Sequence, residues 1–370
     1  MYRVLVAIGT RPEAIKMCPV IIEMKKYKDL DCVVCLTGQH REMLAQAMDS
    51  FGITEDYNLD VMTENQSLTM LNAQIMMKID EIFDEVFPSF VLVHGDTSSS
   101  YAVALAAFYK KIPIAHVEAG LRTGNMYSPF PEEMNRVLTD RLSTLLFAPT
   151  DKNRLNLKQE GITDNVYVTG NTVIDSFAYT TSNKYIFNEK KLRNLGQNRK
   201  IILVTAHRRE NIGKPLNNIC NALIKLSIKY RNIIIVYPVH MNPGVRSIVY
   251  KKLSGINNIL LLEPINVTDM HNLLKRCYMV MTDSGGIQEE APYFDKPVLV
   301  LRTETERTEA IEAGTVRITG VNTNEIVAAA ELLINESSEY IKMAKAVNPY
   351  GDGNSSVRIV NILRKHLEEI

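Results

Sequence analysis

Residues 94 to 136 read HGDTSSSYAVALAAFYKKIPIAHVEAGLRTGNMYSPFPEEMNR and hold three acidic side chains at unusual places. Asp96 directly follows one apolar run, Glu118 directly follows a second, and Glu132 lies in a loop bounded by prolines. Apolar runs that alternate with helical patterns predict parallel strands, whose carboxyl ends share the sheet edge where open α/β folds bind ligands. We therefore predict a parallel α/β domain in which Asp96 and Glu118 face one crevice.

An alternative interpretation gives these carboxylates purely structural roles. Asp96 and Glu132 would then cap helices. Glu118 would be held in an ion pair with Arg122 or Arg136, which follow it closely in the chain.

The bulk composition favours a globular protein of two domains and excludes several partners. The chain has 370 residues, 46% hydrophobic and 23% charged, which is ordinary globular usage. Lys plus Arg and Asp plus Glu both total 42, so the basic excess typical of nucleic-acid binders is missing and we expect no nucleic-acid partner. No apolar run reaches the roughly 18 residues of a membrane span, and the first residues resemble a strand rather than a signal peptide. We expect a cytoplasmic protein without a membrane partner.

The five cysteines argue against a disulfide framework, because their number is odd and they are scattered along the chain. This usage is typical of a reducing compartment. Cys32 and Cys35 have the C-x-x-C spacing of redox and metal sites, but they lie in an apolar run that resembles a buried strand. A redox or metal role is therefore the weaker interpretation of this pair.

The chain begins with a predicted strand, a tight turn and a helix. An apolar run over residues 3–8 leads into the turn GTRPE and then into an amphipathic stretch over residues 14–25. Arg11 and Lys16 flank the start of this helix, where free N–H groups and the helix dipole favour anions. Both are candidate anion-binding residues, and the alternative is that they are solvated surface charges.

The same strand-turn-helix unit recurs along the chain and predicts two doubly wound parallel sheets. Predicted strands cover residues 3–8, 32–36, 90–93, 112–117, 145–149, 166–171, 200–205, 233–237, 259–263, 279–282, 298–301 and 316–319. We predict two Rossmann-like domains, 1–170 and 171–354, that face each other across a cleft. A last helix over residues 355–370 is expected to pack back on the first domain.

The second half carries a predicted diphosphate site at the stretch TDSGGIQEEAP, residues 282–292. Gly285 and Gly286 let the backbone approach a ligand, and the helix after Ser284 directs N–H groups at a phosphate. Glu290 follows about one turn later, where a carboxylate can accept hydrogen bonds from a ribose diol. Other cationic or polar residues predicted at this sheet edge are His207, Arg208, His240 and Arg302. No Walker-type run and no G-x-G-x-x-G after the first strand occur, which disfavours ATP hydrolysis and dinucleotide binding.

Taken together, these motifs and several others resemble the bacterial UDP-N-acetylglucosamine 2-epimerases of the non-hydrolysing kind. The motifs that carry the resemblance are GTRPEAIK (9–16), GQHREML (38–44), HGDT (94–97), HVEAGLRTG (116–124), PEEMNR (131–136), TAHRREN (205–211), PVHMNP (238–243), TDSGGIQEEAP (282–292) and NPYGDG (348–353). Nine motifs in family order, from the first strand to the last helix, make the resemblance specific. One stretch departs from it: many members read RDTTERPE where this chain reads RTETERTE over residues 302–309.

The resemblance implies a GT-B-like homodimer that interconverts UDP-GlcNAc and UDP-ManNAc for cell-surface polysaccharide precursors. The positions that match the family's catalytic group are Asp96, Glu118, Glu132 and His207. Those that match its UDP contacts are Arg11, Lys16, His240, Ser284, Gly285, Gly286 and Glu290. Some members bind a second UDP-GlcNAc as an activator, and Gln39 and His40 match that site.

The expected reaction is elimination of UDP to a 2-acetamidoglucal, followed by protonation of C2 from the other face and return of UDP. This route needs acid and base groups and a diphosphate grip, but neither a metal nor NAD. The Tyr-x-x-x-Lys pair of hydride-transferring sugar epimerases is also missing from the sequence. Alternatives are a hydrolysing 2-epimerase that releases ManNAc and UDP, a glycosyltransferase of the same architecture, and a non-catalytic nucleotide-sugar sensor.

Overall fold

The structure, a computed structural model, describes residues 1–38, 41–63, 66–193, 195 and 199–369, with the side chains of residues 41–43 outside this description. It divides into two compact units, Met1–Tyr179 with Tyr350–Ile370 and Thr180–Pro349. The first unit therefore extends past residue 170, where the sequence analysis placed the boundary. The reason is a helix over Thr172–Thr180 whose Asp175 accepts hydrogen bonds from the backbone N–H groups of Ser355 and Ser356, at 3.2 and 2.6 Å.

The first unit contains a seven-stranded parallel sheet. Its strands are β1 (Tyr2–Ile8), β2 (Leu30–Leu36), β3 (Tyr57–Asn58), β4 (Phe90–His94), β5 (Ile114–Val117), β6 (Leu145–Ala148) and β7 (Val166–Val168), in the spatial order β3-β2-β1-β4-β5-β6-β7. The helices are α1 (Arg11–Met24), α2 (Arg41–Asp49), α3 (Leu68–Val86), α4 (Ser98–Tyr109), α5 (Glu132–Leu142), α6 (Asp151–Gln159), α7 (Thr172–Thr180) and the last helix, α16 (Ser355–Glu369). The sequence analysis did not anticipate the two-residue strand β3.

The second unit contains a six-stranded parallel sheet. Its strands are β8 (Lys200–Thr205), β9 (Ile233–Pro238), β10 (Ile259–Leu262), β11 (Met279–Thr282), β12 (Val298–Val300) and β13 (Val316–Ile318), in the order β10-β9-β8-β11-β12-β13. The helices are α8 (Lys190–Arg193), α9 (Lys214–Lys229), α10 (Pro243–Leu253), α11 (Val267–Arg276), α12 (Gly285–Glu290), α13 (Thr308–Ala313), α14 (Thr323–Asn335) and α15 (Ser337–Ala344), with short 3-10 turns over Arg209–Asn211 and Ala291–Phe294. The prediction of two parallel-sheet α/β domains is confirmed.

The core of the first unit explains why α16 belongs to it. One hydrophobic cluster joins α1 residues such as Met17 and Ile21 to Ile359 and Leu363 of α16, and all four are fully buried. Removing this much apolar surface from water is the main stabilising contribution to such packing. After forming the second unit, the chain thus returns to the first unit, where α16 completes the core.

The predicted C-x-x-C pair lies within β2, as the apolar run indicated. Burial raises the pKa of the Cys32 and Cys35 thiols to about 12 each, so neither is a thiolate at neutral pH. This disfavours the redox or metal role, because the thiolate is the reactive and metal-binding form. Among the helices that the structure describes, none is both long enough and apolar enough to cross a membrane.

Candidate active site

Both sheets place polar residues where their strand order reverses. In the first sheet this switch lies between β1 and β4, and in the second between β8 and β11. Chain segments that leave neighbouring strands at such a point diverge and open a crevice at the carboxyl edge, which is the usual ligand site of open α/β sheets. The segments concerned begin at Gly9 and Gly95 in the first unit and at Ala206 and Asp283 in the second. Each carries candidate residues from the sequence analysis.

Glu118 lies at this edge of the first sheet and is held in place by several groups. It follows β5, whose Val117 is in register with His94 of β4, and it adopts a positive φ of 72°. Such a conformation is uncommon for a residue with a side chain and tends to persist where surrounding contacts fix it. Its carboxylate forms an ion pair with the Lys16 ammonium, and both side chains are nearly buried, at 12% and 11% exposed. The Asn171 amide nitrogen also lies 3.4 Å from the carboxylate.

The ion pair determines the charge of Glu118. Burial alone would raise the pKa of this carboxyl, but the Lys16 ammonium and the nearby His94 outweigh it, so the pKa lies well below its ordinary value. Glu118 is therefore ionised at neutral pH. A carboxylate in this state can accept a proton but cannot donate one.

The ion pairs that the structural interpretation suggested for Glu118 are not the ones formed. Arg122 instead binds Glu160, with its Nε and Nη2 at 2.7 and 2.8 Å from the two carboxylate oxygens, and it also contacts Asp140 at 2.7 Å. Arg136 pairs with Asp96 and donates to Glu133 at 2.9 Å. Asp96 thus pairs with an arginine rather than capping a helix as that interpretation supposed, and its side chain stays 27% exposed at the sheet edge.

Glu132 lies in a different setting from the loop that the prolines suggested. It is the first residue of α5, directly after Pro131, where the helix dipole favours a carboxylate. Its Oε2 is buried and has no hydrogen-bond partner among the described residues. The next residue, Glu133, accepts hydrogen bonds from the backbone N–H groups of Thr123 and Gly124, each at 2.9 Å, and so fixes the loop before α5.

Two further buried titratable residues were not singled out from the sequence. Glu13 is 2% exposed and accepts hydrogen bonds from the N–H groups of Gly9 and Thr10, while burial raises its pKa. His94 is 4% exposed and its Nε2 lies 3.6 Å from Glu118. Both belong to motifs quoted above, but nothing local to the sequence distinguishes them from ordinary core residues.

In the second unit, Asp283 organises the loop that carries His207 and Arg208. This fully buried carboxylate accepts hydrogen bonds from the His207 and Arg208 N–H groups, at 2.8 and 2.9 Å, and from the Asn211 amide at 2.8 Å. Because Asp283 follows β11, it connects the switch-point loops after β8 and β11. Sequence reasoning did not assign it this role.

The His207 side chain is directed against a second imidazole. Its ring stacks on that of His240 with 5.0 Å between centroids and 14° between planes. The His240 Nδ1 accepts a hydrogen bond from the Asn242 N–H at 3.1 Å, which requires that nitrogen to be unprotonated. Burial lowers the pKa of His207, and His240 and Arg208 add to this against the opposing Asp283 carboxylate. His207 is therefore mostly neutral at pH 7.

Three arginines gather around Glu306 in the same unit. Arg302 contacts Glu306 at 3.0 Å, Arg307 forms a close ion pair with it, and Arg208 lies 4.0 Å away. Burial would raise the pKa of Glu306, but Arg307 and the other arginines bring it down to about 2. The stretch that departs from the family pattern thus folds into a cationic cluster with its own counter-ion.

The glycine-rich turn lies next to this cluster. Ser284 precedes α12, and a Cβ atom added to Gly285 would lie 2.6 Å from the Arg307 guanidinium carbon, so only glycine fits there without displacing it. A Cβ on Gly286 would lie 3.3 Å from a carboxylate oxygen of Glu290. Glu290 in turn lies 3.6 Å from the Nε2 of the buried His271. The turn, the arginines and Glu290 together form a site suited to a phosphorylated ligand.

Two predictions concern a second nucleotide-sugar site and the need for a metal. Gln39 and His40, the matches to the activator site, lie outside the described residues. Within the described ranges, no three His, Cys, Asp or Glu side chains are grouped so as to hold a metal ion. The expectation that no metal or NAD is needed stays a prediction.

The fold and the site together define a class of protein. Two doubly wound parallel sheets, with carboxylates at the switch point of one and a cationic, glycine-lined turn at that of the other, are typical of enzymes acting on nucleotide-linked substrates. A profile of the family described as UDP-N-acetylglucosamine 2-epimerase matches residues 22–364. The chain belongs to this family.

Individual relatives agree along the whole chain. The UDP-N-acetylglucosamine 2-epimerase of Bacillus subtilis is 46% identical over 365 residues, covering 98% of this chain and 95% of the relative. The crystal structure of UDP-GlcNAc 2-epimerase from Neisseria meningitidis bound to UDP-GlcNAc is 47% identical, with a TM-score of 0.91 over 98% of this chain and 100% of the other. The Methanocaldococcus jannaschii enzyme in complex with UDP-GlcNAc and UDP is 32% identical, with a TM-score of 0.82 over 98% and 99%. These structures share the two-domain, GT-B-like α/β fold.

Proposed function

We propose that the protein interconverts UDP-GlcNAc and UDP-ManNAc without hydrolysis, through elimination of UDP and its return to a 2-acetamidoglucal. The observation that carries the proposal is the ionised Glu118, buried beside Lys16 at the carboxyl edge of the first sheet. Family membership and the relatives crystallised with UDP-GlcNAc support the substrate. The product would serve synthesis of cell-surface polysaccharide precursors.

The chemistry explains why such a site is needed. The C2 proton of the sugar is not next to a carbonyl, so a side chain cannot remove it directly at neutral pH. Cleavage of the C1–O bond to UDP generates oxocarbenium character at C1, which acidifies C2. The catalyst must therefore stabilise the leaving diphosphate and remove a proton at the same time.

The first unit supplies the proton-transfer groups in this proposal. Glu118 accepts the C2 proton, because it is already ionised at neutral pH. Glu132 or Asp96 serves the opposite face of C2, and the unpaired, buried Oε2 of Glu132 makes that residue the better candidate. Asp96 is held by Arg136, which favours an orienting role for its carboxylate.

The second unit supplies the grip on the nucleotide. In this proposal Arg208 and the turn at Gly285 bind the diphosphate, and Glu290 binds the ribose. His207 has a lowered pKa, which supports hydrogen-bond donation to the leaving phosphate rather than proton transfer to it. We also propose that the enzyme works as a homodimer in the cytoplasm without metal or nicotinamide.

The proposal is tested by NMR of the protein with UDP-GlcNAc in heavy water. Elimination and re-addition should give UDP-ManNAc together with deuterium at C2. Release of free ManNAc and UDP would instead identify a hydrolysing enzyme. An unchanged spectrum would contradict the proposal and favour a glycosyltransferase or a nucleotide-sugar sensor.

Two variants test the assigned carboxylates. Asp96→Asn and Glu118→Gln should each lower turnover by about 100-fold or more, because groups that transfer or orient a proton contribute roughly that much. UDP affinity should stay nearly unchanged. The matched control is Asp151→Asn, whose side chain is 79% exposed on α6, and it should keep normal turnover. Near-normal turnover in both site variants would refute the mechanism.

A further inference from the structure

His94 occupies an unusual position for a buried histidine. It ends β4 at the sheet edge and is only 4% exposed, yet neither ring nitrogen has a hydrogen-bond partner among the described residues. Buried polar atoms are nearly always hydrogen-bonded, so an exception needs a reason. The other histidine of this sheet, His116, shows the usual arrangement, with Nδ1 2.6 Å from Asp140 and Nε2 2.8 Å from the Gly95 carbonyl.

Two carboxyl groups interact with His94. Its Nε2 lies 3.6 Å from Glu118 Oε2, the oxygen that also pairs with Lys16. This distance is longer than a hydrogen bond but short enough for a small side-chain rotation to close it. From α1, Glu13 also interacts electrostatically with His94. An imidazolium at this position would thus be compensated by carboxylates, although it is buried.

Glu118 has a difficulty that such a neighbour removes. The same Lys16 ion pair that keeps Glu118 ionised makes it a weak base, because a carboxyl beside a cation gives up its proton readily. A proton taken from the substrate would be unstable there. Imidazole has a higher intrinsic proton affinity, with an ordinary pKa of about 6.5 against about 4.3 for a glutamate. A neighbouring imidazole can therefore take up that proton.

We propose that His94 is a positioning residue that acts through Glu118. Its imidazole holds the proton that Glu118 exchanges with the substrate. This inference rests on the proposed epimerisation. In the forward step the C2–H bond breaks and its proton goes to Glu118, while the electron pair forms the C1=C2 bond and the C1–O pair leaves with UDP. The proton then moves from Glu118 Oε2 to His94 Nε2, giving a carboxylate and an imidazolium, and the reverse reaction returns it.

The test uses His94→Gln and His94→Asn in the full-length protein. We expect kcat to fall about 100-fold in both, as for loss of a general acid-base group, with UDP affinity within about twofold of normal. The shape of the kcat-against-pH curve should change in both variants, because Glu118 loses the imidazole 3.6 Å away that takes up its proton. His366→Gln on α16, where the ring lies 3.4 Å from Asn165, is the matched control and should leave kcat and the pH curve unchanged.

Two results would overturn the role of His94 while the enzyme itself is active. One is a kcat within about threefold of normal in both variants. The other is a reduced kcat with the original pH curve, which would mean a packing role only. A wild-type protein that forms no UDP-ManNAc would instead refute the proposed function.

A measurement on the folded wild-type protein covers the case that both variants unfold. The chain has seven histidines, and nitrogen-15 NMR of labelled histidine follows each one with pH. One histidine signal should respond to pH differently when Glu118 is changed to Gln, because the Glu118 carboxylate lies 3.6 Å from the His94 Nε2. Seven unaffected histidine signals would overturn the proposal.

Discussion

Replacing Lys16 with methionine isolates the contribution of its ion pair with Glu118. Methionine keeps most of the side-chain volume but removes the ammonium, which leaves a carboxylate that is 12% exposed without its main cation. Breaking a buried ion pair by removing one partner typically costs about 3–5 kcal/mol, because the remaining charge is buried without compensation. We expect the free energy of unfolding at pH 7 to fall by about this amount.

The loss in free energy of unfolding caused by Lys16→Met should depend on pH, and the surroundings of Glu118 predict its direction. In the wild type the pKa of Glu118 is lowered in the folded state, so its stabilisation is present above the unfolded-state pKa and is lost as pH falls through the folded-state value. In the variant, burial is opposed chiefly by His94, so the folded-state carboxyl retains its proton more readily. The difference between the two proteins should therefore be largest near pH 7 and shrink as pH falls towards the ordinary glutamate pKa of about 4.3.

Urea unfolding followed by circular dichroism measures this difference, since the chain has no tryptophan to report on it. Lys110→Met is the matched control in the same unit, because its ammonium pairs at 2.6 Å with Asp84, whose side chain is 65% exposed. Surface pairs of this kind contribute little, so this control should unfold almost as the wild type does. A loss below about 1 kcal/mol for Lys16→Met, or a loss that does not change with pH, would refute the reasoning.

Two further predictions concern packing and the second unit. Gly120→Ala should lower the free energy of unfolding by about 3–5 kcal/mol, because φ is +83° and the new Cβ would lie 2.3 Å from the Asn153 carbonyl oxygen. Gly124→Ala is the control, with φ +77° and open space around the new Cβ, and should lower it by about 1–2 kcal/mol. Equal losses in thermal unfolding would contradict the contact at Gly120. Asp283→Asn should weaken UDP binding about tenfold, since the His207 N–H loses a charge-assisted hydrogen bond of about 1.5–3 kcal/mol. Calorimetry measures the affinity, and an unchanged value would show that this hydrogen bond does not position the site.

Most of the fold could be predicted because its signals are local. Most strands are apolar runs bounded by turn residues. The runs predicted at residues 200–205 and 279–282 match β8 and β11 in full. The shortest element, β3, escaped because two residues carry no periodicity. Glu132 was misplaced into a loop because Pro131, which looked like a loop residue, instead stands directly before the first turn of α5.

The sequence by itself determined which polar residues reach the carboxyl edges of the two sheets. A residue one or two positions after an apolar strand, such as Asp96, Glu118 or Asp283, must lie at that edge, because the chain has no room to go elsewhere. This holds whatever the residue's partners are. The residues of the candidate site that follow strands could therefore be predicted from the strand ends.

Only the tertiary structure decided which of these groups pair. Lys16 and Glu118 are 102 positions apart, and His207 and Asp283 are 76 apart, so neither pair leaves a trace in local sequence. Sequence proximity suggested arginine partners for Glu118, whereas the packing of α1 against the sheet supplies a lysine. Charge and proton affinity depend on burial and on neighbours within a few ångströms, and these are fixed only when distant segments pack together.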